Sequence, residues 1–187
     1  MPNRPDREVQ CEGLLQALPP ETEPVCDSRG DVKNKIFVCI RGAHHDGHAD
    51  AAEVLRRGAA AIVTQRKTGL PREITVPDTR LAMALLSARY WGSPAGELRL
   101  IGITGTNGKT TTAHLLCHLL HSAGIKTGRI GTDGMAWGEK RLPNPYTTPP
   151  PDLLHRTLRQ MAGDGITAVV MEVSSQALVQ QRTAGLT

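Results

Sequence analysis

The run from residue 100 to 123 constrains this chain more than any other stretch: Leu100-Ile101-Gly102-Ile103, short and apolar, then TGTNGKTTT over 104–112, then a helical pattern. It reads as strand, phosphate loop, helix. Gly105 and Gly108 let the backbone turn with its N–H groups inward, around Thr106 and Asn107. Lys109 supplies a compact positive charge, and Thr110, followed by Thr111, supplies a hydroxyl suited to Mg²⁺. Leu115, Leu116, Leu119, Leu120 and Ala123 recur at helical spacing, and Gly124 stands where a C-terminal cap belongs. The loop therefore sits at a helix N-terminus, where the dipole favours phosphate, and the expected ligand is a nucleoside triphosphate. A plain Gly-Thr turn between strand and helix would need neither the lysine nor the hydroxyls. The strict pattern G-x-x-x-x-G-K-[ST] is not met, because Ile103 stands six residues before Lys109.

The charge balance raises the question of a nucleic-acid partner, since the net charge is +4 and the pI near 9.1. The Lys and Arg residues are scattered, and at 3% aromatic content there is little to stack on bases. A polyanionic small molecule accounts for the balance, and no nucleic acid is expected. No apolar run approaches a membrane span, and the first ten residues lack the apolar stretch of a signal peptide, so a cytoplasmic protein without membrane insertion is expected. Cys11, Cys26, Cys39 and Cys117 form no C-x-x-C pair and read as reduced thiols. His114, His118 and His121 share a helix face, but no carboxylate or cysteine completes a metal site, and they read as ordinary surface or half-buried histidines.

Taken in order, the chain shows an amphipathic piece over 9–18, a strand over 35–40, a polar loop over 41–48, a helix over 50–57 stopped by Gly58, and a buried strand over 59–64. Strand, helix and strand make a βαβ unit with a parallel right-handed crossover. A short strand over 74–76 and a helix over 80–91, capped by Asp78 or Thr79, follow. The Gly92-Ser93-Pro94-Ala95-Gly96 segment has linker composition, which divides the chain into domains 1–95 and 96–187. In the second domain three strands are expected, over 98–104, 126–130 and 166–173, with an irregular stretch through Pro145 and a helix over 152–162 started by Thr148 and Pro149. The apolar run 166–173 delivers Glu172, Ser174 and Ser175 to a strand's C-terminal end, where open α/β sheets bind ligands.

Three further stretches accompany the phosphate loop: Asp27-Ser28-Arg29, Asp46-Gly47-His48, and Met171-Glu172-Val173-Ser174-Ser175 followed by Leu178, Gln180 and Arg182. In this order the set resembles the Mur ligase family, in the branch that adds the third residue of the peptidoglycan stem peptide. The resemblance implies an α/β fold, with an N-terminal UDP-sugar-binding domain and a partial P-loop-type parallel-sheet ATPase domain. It implies ATP and Mg²⁺ as cofactors, and UDP-MurNAc-dipeptide plus diaminopimelate or lysine as substrates. The implied chemistry is amide formation through an acyl phosphate, by a protein that is a monomer when full length. By the same resemblance Gly105, Thr106, Asn107, Gly108, Lys109, Thr110 and Thr111 hold ATP, with Lys109 and Glu172 acting in catalysis and Thr110 and Glu172 at Mg²⁺. Ser28, Ala43, His44 and His45 fall to the UDP-sugar, and Thr147, Thr148, Ser174, Gln180 and Arg182 to the muramoyl-peptide end. Thr147 and Thr148 also suit plain helix capping.

Three positions depart from the family's usual residues: Gln176 replaces a histidine, Tyr146 an asparagine, and Asp50 an aromatic. Another Mur ligase, a folylpolyglutamate synthase-like ligase, and a non-catalytic nucleotide-binding module are the competing readings. With only three strands expected in the second domain, the last of them, 166–173, is expected to lack a neighbour, and the chain is expected to be an inactive piece of a longer enzyme.

Overall fold

Two β-branched runs, one on either side of a short helix, build the first part of the molecule. The computed structural model describes residues 4–43 and 45–186, and it divides into two units, Met1–Tyr90 and Trp91–Thr187. In the first unit the order is α1 (Arg4–Leu15), β1 (Pro24–Val25), β2 (Ile36–Val38), α2 (Ala51–Arg56), β3 (Ala61–Thr64), β4 (Glu73–Thr75) and α3 (Thr79–Tyr90). The four strands pair in parallel in the order β1-β2-β3-β4. The expected βαβ unit is therefore present, with shorter strands than the apolar runs suggested.

Every residue of β2 and β3 is buried, as helices on both faces of a parallel sheet require. Phe37, Cys39 and Ile62 pack with Val54 and Leu55 of α2. The α3 helix lies along β1, β2 and β3, burying Leu81, Ala82, Met83 and Leu86. Asp78 caps it, its Oδ1 accepting the N–H groups of Arg80 (2.9 Å) and Leu81 (3.1 Å). Near its other end Arg89 donates to the carbonyls of Leu15 (3.0 Å) and Leu18 (2.6 Å), satisfying acceptors left over where α1 ends.

The second unit runs β5 (Arg99–Ile103), α4 (Lys109–Ser122), β6 (Thr127–Gly131), β7 (Gly134–Trp137), β8 (Lys140–Leu142), α5 (Pro151–Gly163), β9 (Ala168–Glu172) and α6 (Ser175–Val179). Its sheet has the order β5-β9-β6-β7-β8, with the first three strands parallel and the last two pairings antiparallel. Two expectations are corrected here. The stretch read as irregular contains the β7–β8 hairpin, held to the end of α5 by Asp164, whose Oδ2 accepts from Trp137 Nε1 and Lys140 Nζ, both at 2.5 Å. The strand read as lacking a neighbour, β9, lies between β5 and β6 and is buried throughout, whereas β5 lies at the edge.

The core of this unit gathers Ile130, Met135, Trp137, Leu154, Leu158, Met161, Val169 and Met171 from four elements. The α4 helix packs on β5, β6 and β9. In α4 only Ala113 is buried, and Leu115 and Leu119 are 61% and 64% exposed. Among the described residues no helix is long and apolar enough to cross a membrane.

Candidate functional sites

Alternation of the second sheet places the phosphate loop and Glu172 side by side. Ile103 and Glu172 are register partners on β5 and β9, and Val173 N–H donates to Ile103 O at 2.8 Å. The loop thus begins one residue beyond the pair. Gly105 and Gly108 have φ of +147° and +78°, the left-handed backbone that a side chain would strain, and Gly108 is the N-cap of α4. Thr112 N–H is bonded back to Gly108 O (2.9 Å), so the N–H groups of Lys109, Thr110 and Thr111 open at the helix N-terminus. No acidic residue sits in this first turn. Lys109 Nζ donates to the carbonyls of Gly105 (2.7 Å) and Thr106 (3.2 Å), laying the ammonium across the loop. Converging N–H groups, a helix dipole and an ammonium make an anion cradle.

Glu172 is fully buried, yet it forms no salt bridge among the described residues. Its Oε1 accepts the Thr132 N–H (3.1 Å), and its Oε2 lies 3.3 Å from the Thr132 hydroxyl. The Thr132 hydroxyl is also placed to donate to Thr147 Oγ1 at 3.1 Å, so its one proton is shared between two acceptors and the three side chains form one network. Gly131 makes room for this carboxylate, for a Cβ there would sit 2.2 Å from Oε1. A buried carboxylate without a cation is costly, and one carboxylate with a nearby hydroxyl is the donor set with which a protein holds Mg²⁺ on nucleotide phosphates. The residues present therefore fit the expected metal.

Thr147, Thr148, Ser174, Gln180 and Arg182 gather beside this carboxylate. Thr148 does not start α5, whose N-cap is Pro150. Its buried hydroxyl instead donates to Glu172 O (2.9 Å) and accepts Ser174 N–H (3.0 Å), which ties its loop to the end of β9. Its proton is thereby spent within the protein. Ser174 accepts Ala177 N–H (3.1 Å) as the N-cap of α6 and keeps its own proton for another acceptor. Arg182 donates to Thr148 O (2.6 Å) and through two nitrogens to Gln180 Oε1 (3.0 and 2.8 Å), and its guanidinium stands 5.2 Å from the Tyr146 ring centre. Sequence reading missed Thr132 and Asn144. Asn144 donates to Gly131 O (3.1 Å) and Tyr146 O, holding the loop on which Thr147 sits, and neither residue belongs to a local pattern that would have singled it out.

The first unit carries a separate pocket of about 640 Å³, lined by Cys26, Asp27, Ser28, Arg29, Ile40, Gly42, His45, Gly47 and Asp50. Ser28 and His45 line it, Ala43 is exposed and outside the lining, and His44 lies outside the described residues. Asp27 takes Arg29 in a two-pronged pair (2.9 Å each) as well as its N–H (3.0 Å), and this guanidinium holds its carboxyl down at about 2. Arg57, another residue the sequence did not flag, donates to the carbonyls of Ser28 and Gly30 and so pins the turn.

The Asp46-Gly47-His48 motif is an internal latch. Asp46 accepts the His48 N–H (3.1 Å) and Nδ1 (2.6 Å), which hold its carboxyl at about 2. Because His48 Nε2 accepts Gln65 N–H (2.9 Å), the ring proton belongs on Nδ1. Nearby, burial pushes the Cys39 thiol up to about 12, leaving it unreactive.

Comparison with known proteins gives consistent relatives. Residues 103–187 match the Mur ligase middle domain. A UDP-N-acetylmuramoyl-L-alanyl-D-glutamate--2,6-diaminopimelate ligase of Geobacillus thermodenitrificans is 44% identical over 160 residues, covering 85% of this chain and 33% of that protein. The protein of the same name from Listeria monocytogenes is 39% identical over 183 residues, covering 92% and 37%. A solved structure of a ligase so named superposes with a TM-score of 0.73 at 31% identity, covering 87% of this chain and 34% of that one. The MurF ligase of Thermotoga maritima, solved with ADP, shares the fold at a TM-score of 0.52 and 24% identity, covering 83% and 33%. The chain spans about a third of the length of the relatives it matches.

Proposed function

We propose that this chain, which belongs to the Mur ligase family, carries the UDP-sugar-binding and ATP-binding parts of a peptidoglycan-precursor ligase. The reaction is ATP-dependent addition of the third stem-peptide residue to UDP-MurNAc-L-Ala-D-Glu. The relatives' names specify 2,6-diaminopimelate, and we take that as the amine substrate. Residues 1–95 hold the UDP end and residues 96–187 hold ATP. We place the complete enzyme in the cytoplasm as a monomer, on the strength of the family resemblance.

The observation that carries this reading is the pairing of Ile103 with Glu172, which sets a fully buried, cation-less carboxylate next to a phosphate loop. In the ligation a carboxylate of the UDP-sugar peptide attacks the γ-phosphoryl group of ATP, giving ADP and an acyl phosphate. The amine then displaces phosphate to form the amide. Phosphoryl transfer needs positioning and charge stabilisation more than covalent help from the protein. The N–H groups of Lys109, Thr110 and Thr111 bind phosphate oxygens, and Lys109 leaves the Gly105 carbonyl to neutralise the transferred group. Thr110 and Glu172 would hold Mg²⁺, which supplies charge neutralisation when bound. Ser174, Gln180 and Arg182, tied to β9 through Thr148, orient the muramoyl-peptide end. Thr147 bears on the same site through Thr132 and Glu172.

The test is amide formation by a full-length polypeptide containing this segment, supplied with ATP, Mg²⁺, UDP-MurNAc-L-Ala-D-Glu and diaminopimelate. Product is expected, and Lys109→Ala is expected to abolish it with the cooperative unfolding transition retained. Turnover of the UDP-sugar monopeptide or of a folate in place of the dipeptide would overturn the assignment.

A further inference from the structure

Thr132 touches two functional side chains at once, although it belongs to no sequence motif. With Asp133 it forms the two-residue turn between β6 and β7, closed by the register partners Gly131 and Gly134. The turn is anchored from outside the hairpin as well as from within it. Asp133 accepts from Arg129 of β6 and lies 2.7 Å from His114 Nε2 of α4, while Asn144 donates to Gly131 O at 3.1 Å. From this fixed place the Thr132 N–H holds Glu172 Oε1 at 3.1 Å.

The Thr132 hydroxyl has one proton and two acceptors, Glu172 Oε2 at 3.3 Å and Thr147 Oγ1 at 3.1 Å. Charge decides between them. A bare carboxylate is the stronger acceptor, because hydrogen bonds to an ionised group exceed those between neutral ones. A carboxylate oxygen that holds a cation has committed lone pairs and charge to it, and the neutral Thr147 oxygen, the nearer of the two, then takes the proton. Among the described residues no group accepts the Thr147 proton. A Thr147 oxygen that accepts from Thr132 therefore keeps its own O–H for an acceptor on a ligand.

We propose that Thr132 is a positioning residue that couples the metal carboxylate to Thr147. With Glu172 engaged by Mg²⁺, the Thr132 proton goes to Thr147, and Thr147 is fixed as a donor to the muramoyl-peptide end of the substrate. The Mg²⁺ nucleotide and the UDP-sugar peptide then tighten each other's binding through one hydroxyl proton, by the same factor in both directions. The inference rests on the reading of Glu172 at Mg²⁺ and of Thr147 at the muramoyl-peptide end.

The experiment is titration calorimetry on the full-length polypeptide containing this segment, without the amine substrate. UDP-MurNAc-L-Ala-D-Glu is titrated alone and again with Mg²⁺ and a non-hydrolysable ATP analogue present, and the readout is the ratio of the two affinities. Wild type is expected to bind about fivefold more tightly with the Mg²⁺ nucleotide. Thr132→Val keeps the backbone bond to Glu172 and nearly the shape of the side chain but lacks the proton, so its ratio should fall to about 1. Thr132→Ser should restore the wild-type ratio. A ratio retained by Thr132→Val, including one in which both affinities drop together, would make Thr132 a direct contact or a packing residue and overturn the coupling. A ratio lost in Thr132→Ser as well would overturn it too, because the proton is then not what matters. If Thr132→Val does not unfold cooperatively, Thr132→Ala, which also lacks the proton, decides by the same ratio. A wild-type ratio near 1 with both ligands bound overturns this inference and leaves the proposed function standing. Failure of wild type to bind either ligand brings down both.

Discussion

Acidification should destabilise the second unit through one side chain, His155. It lies on α5 fully buried, and neither ring nitrogen has a hydrogen-bond partner of good geometry among the described residues. Burial pushes its pKa from 6.5 down to about 4, the Ala184 backbone acting in the opposite sense. The unfolded chain then binds a proton that the folded one refuses between those two values, so stability rises with pH across that window. The contribution is complete above about 6.5 and is lost as pH falls toward 4. At 1.36 kcal/mol per pKa unit the whole effect is about 3 kcal/mol, and about 2 kcal/mol of it is gone by pH 5. Asp27 and Asp46, held at about 2, titrate below this range. Urea unfolding followed by tryptophan fluorescence, at pH 7, 6 and 5, should show wild type losing about 2 kcal/mol relative to His155→Leu. At pH 7 the variant should match or exceed wild type, since it removes two buried nitrogens without partners. If both proteins lose stability in parallel on acidification, His155 is not buried in its neutral form and the reasoning fails.

Two further outcomes follow from the Glu172 environment. Gly131→Ala puts a Cβ into the space of Oε1, which breaks the carboxylate's bonds to Thr132 and should cost about 2–4 kcal/mol in urea unfolding; a loss below about 0.5 kcal/mol would mean that the carboxylate has somewhere else to go. Glu172→Gln should raise the Mg²⁺ concentration needed for ligation by the full-length enzyme, because one carboxylate oxygen is replaced by an amide nitrogen that cannot hold the ion. An unchanged Mg²⁺ dependence would take Glu172 out of the metal site.

The parts legible in the sequence are those whose chemistry is local. A phosphate loop works through consecutive backbone N–H groups, two glycines with positive φ and one lysine, all within a few residues. The βαβ unit and the Asp78 cap were readable for the same reason, since periodicity and capping act within one helix or strand. Strand order is different, because it depends on which faces bury one another across tens of residues. That is why β9, the last of the described strands, turned out to lie inside the sheet and β5 at its edge. The β7–β8 hairpin escaped notice because the stretch 134–142 carries little alternation, and Trp137 and Lys140 hold it through Asp164, over twenty positions away.

Individual side chains show the same division. Sequence offered Thr148 as a helix cap or a ligand contact, and packing made it a buried tie between its loop and β9, 24 and 26 positions on. Asp46 and His48 were read as a family motif, and the tertiary structure decided that they brace each other and Gln65. Asp50 looked like a mere departure until the fold set its carboxylate 2.7 Å from the His45 ring in the wall of the first unit's pocket. A residue's identity determines what it can donate or accept. Which partner takes that bond is decided by the chain's distant contacts, because burial leaves each polar group only the neighbours the fold supplies.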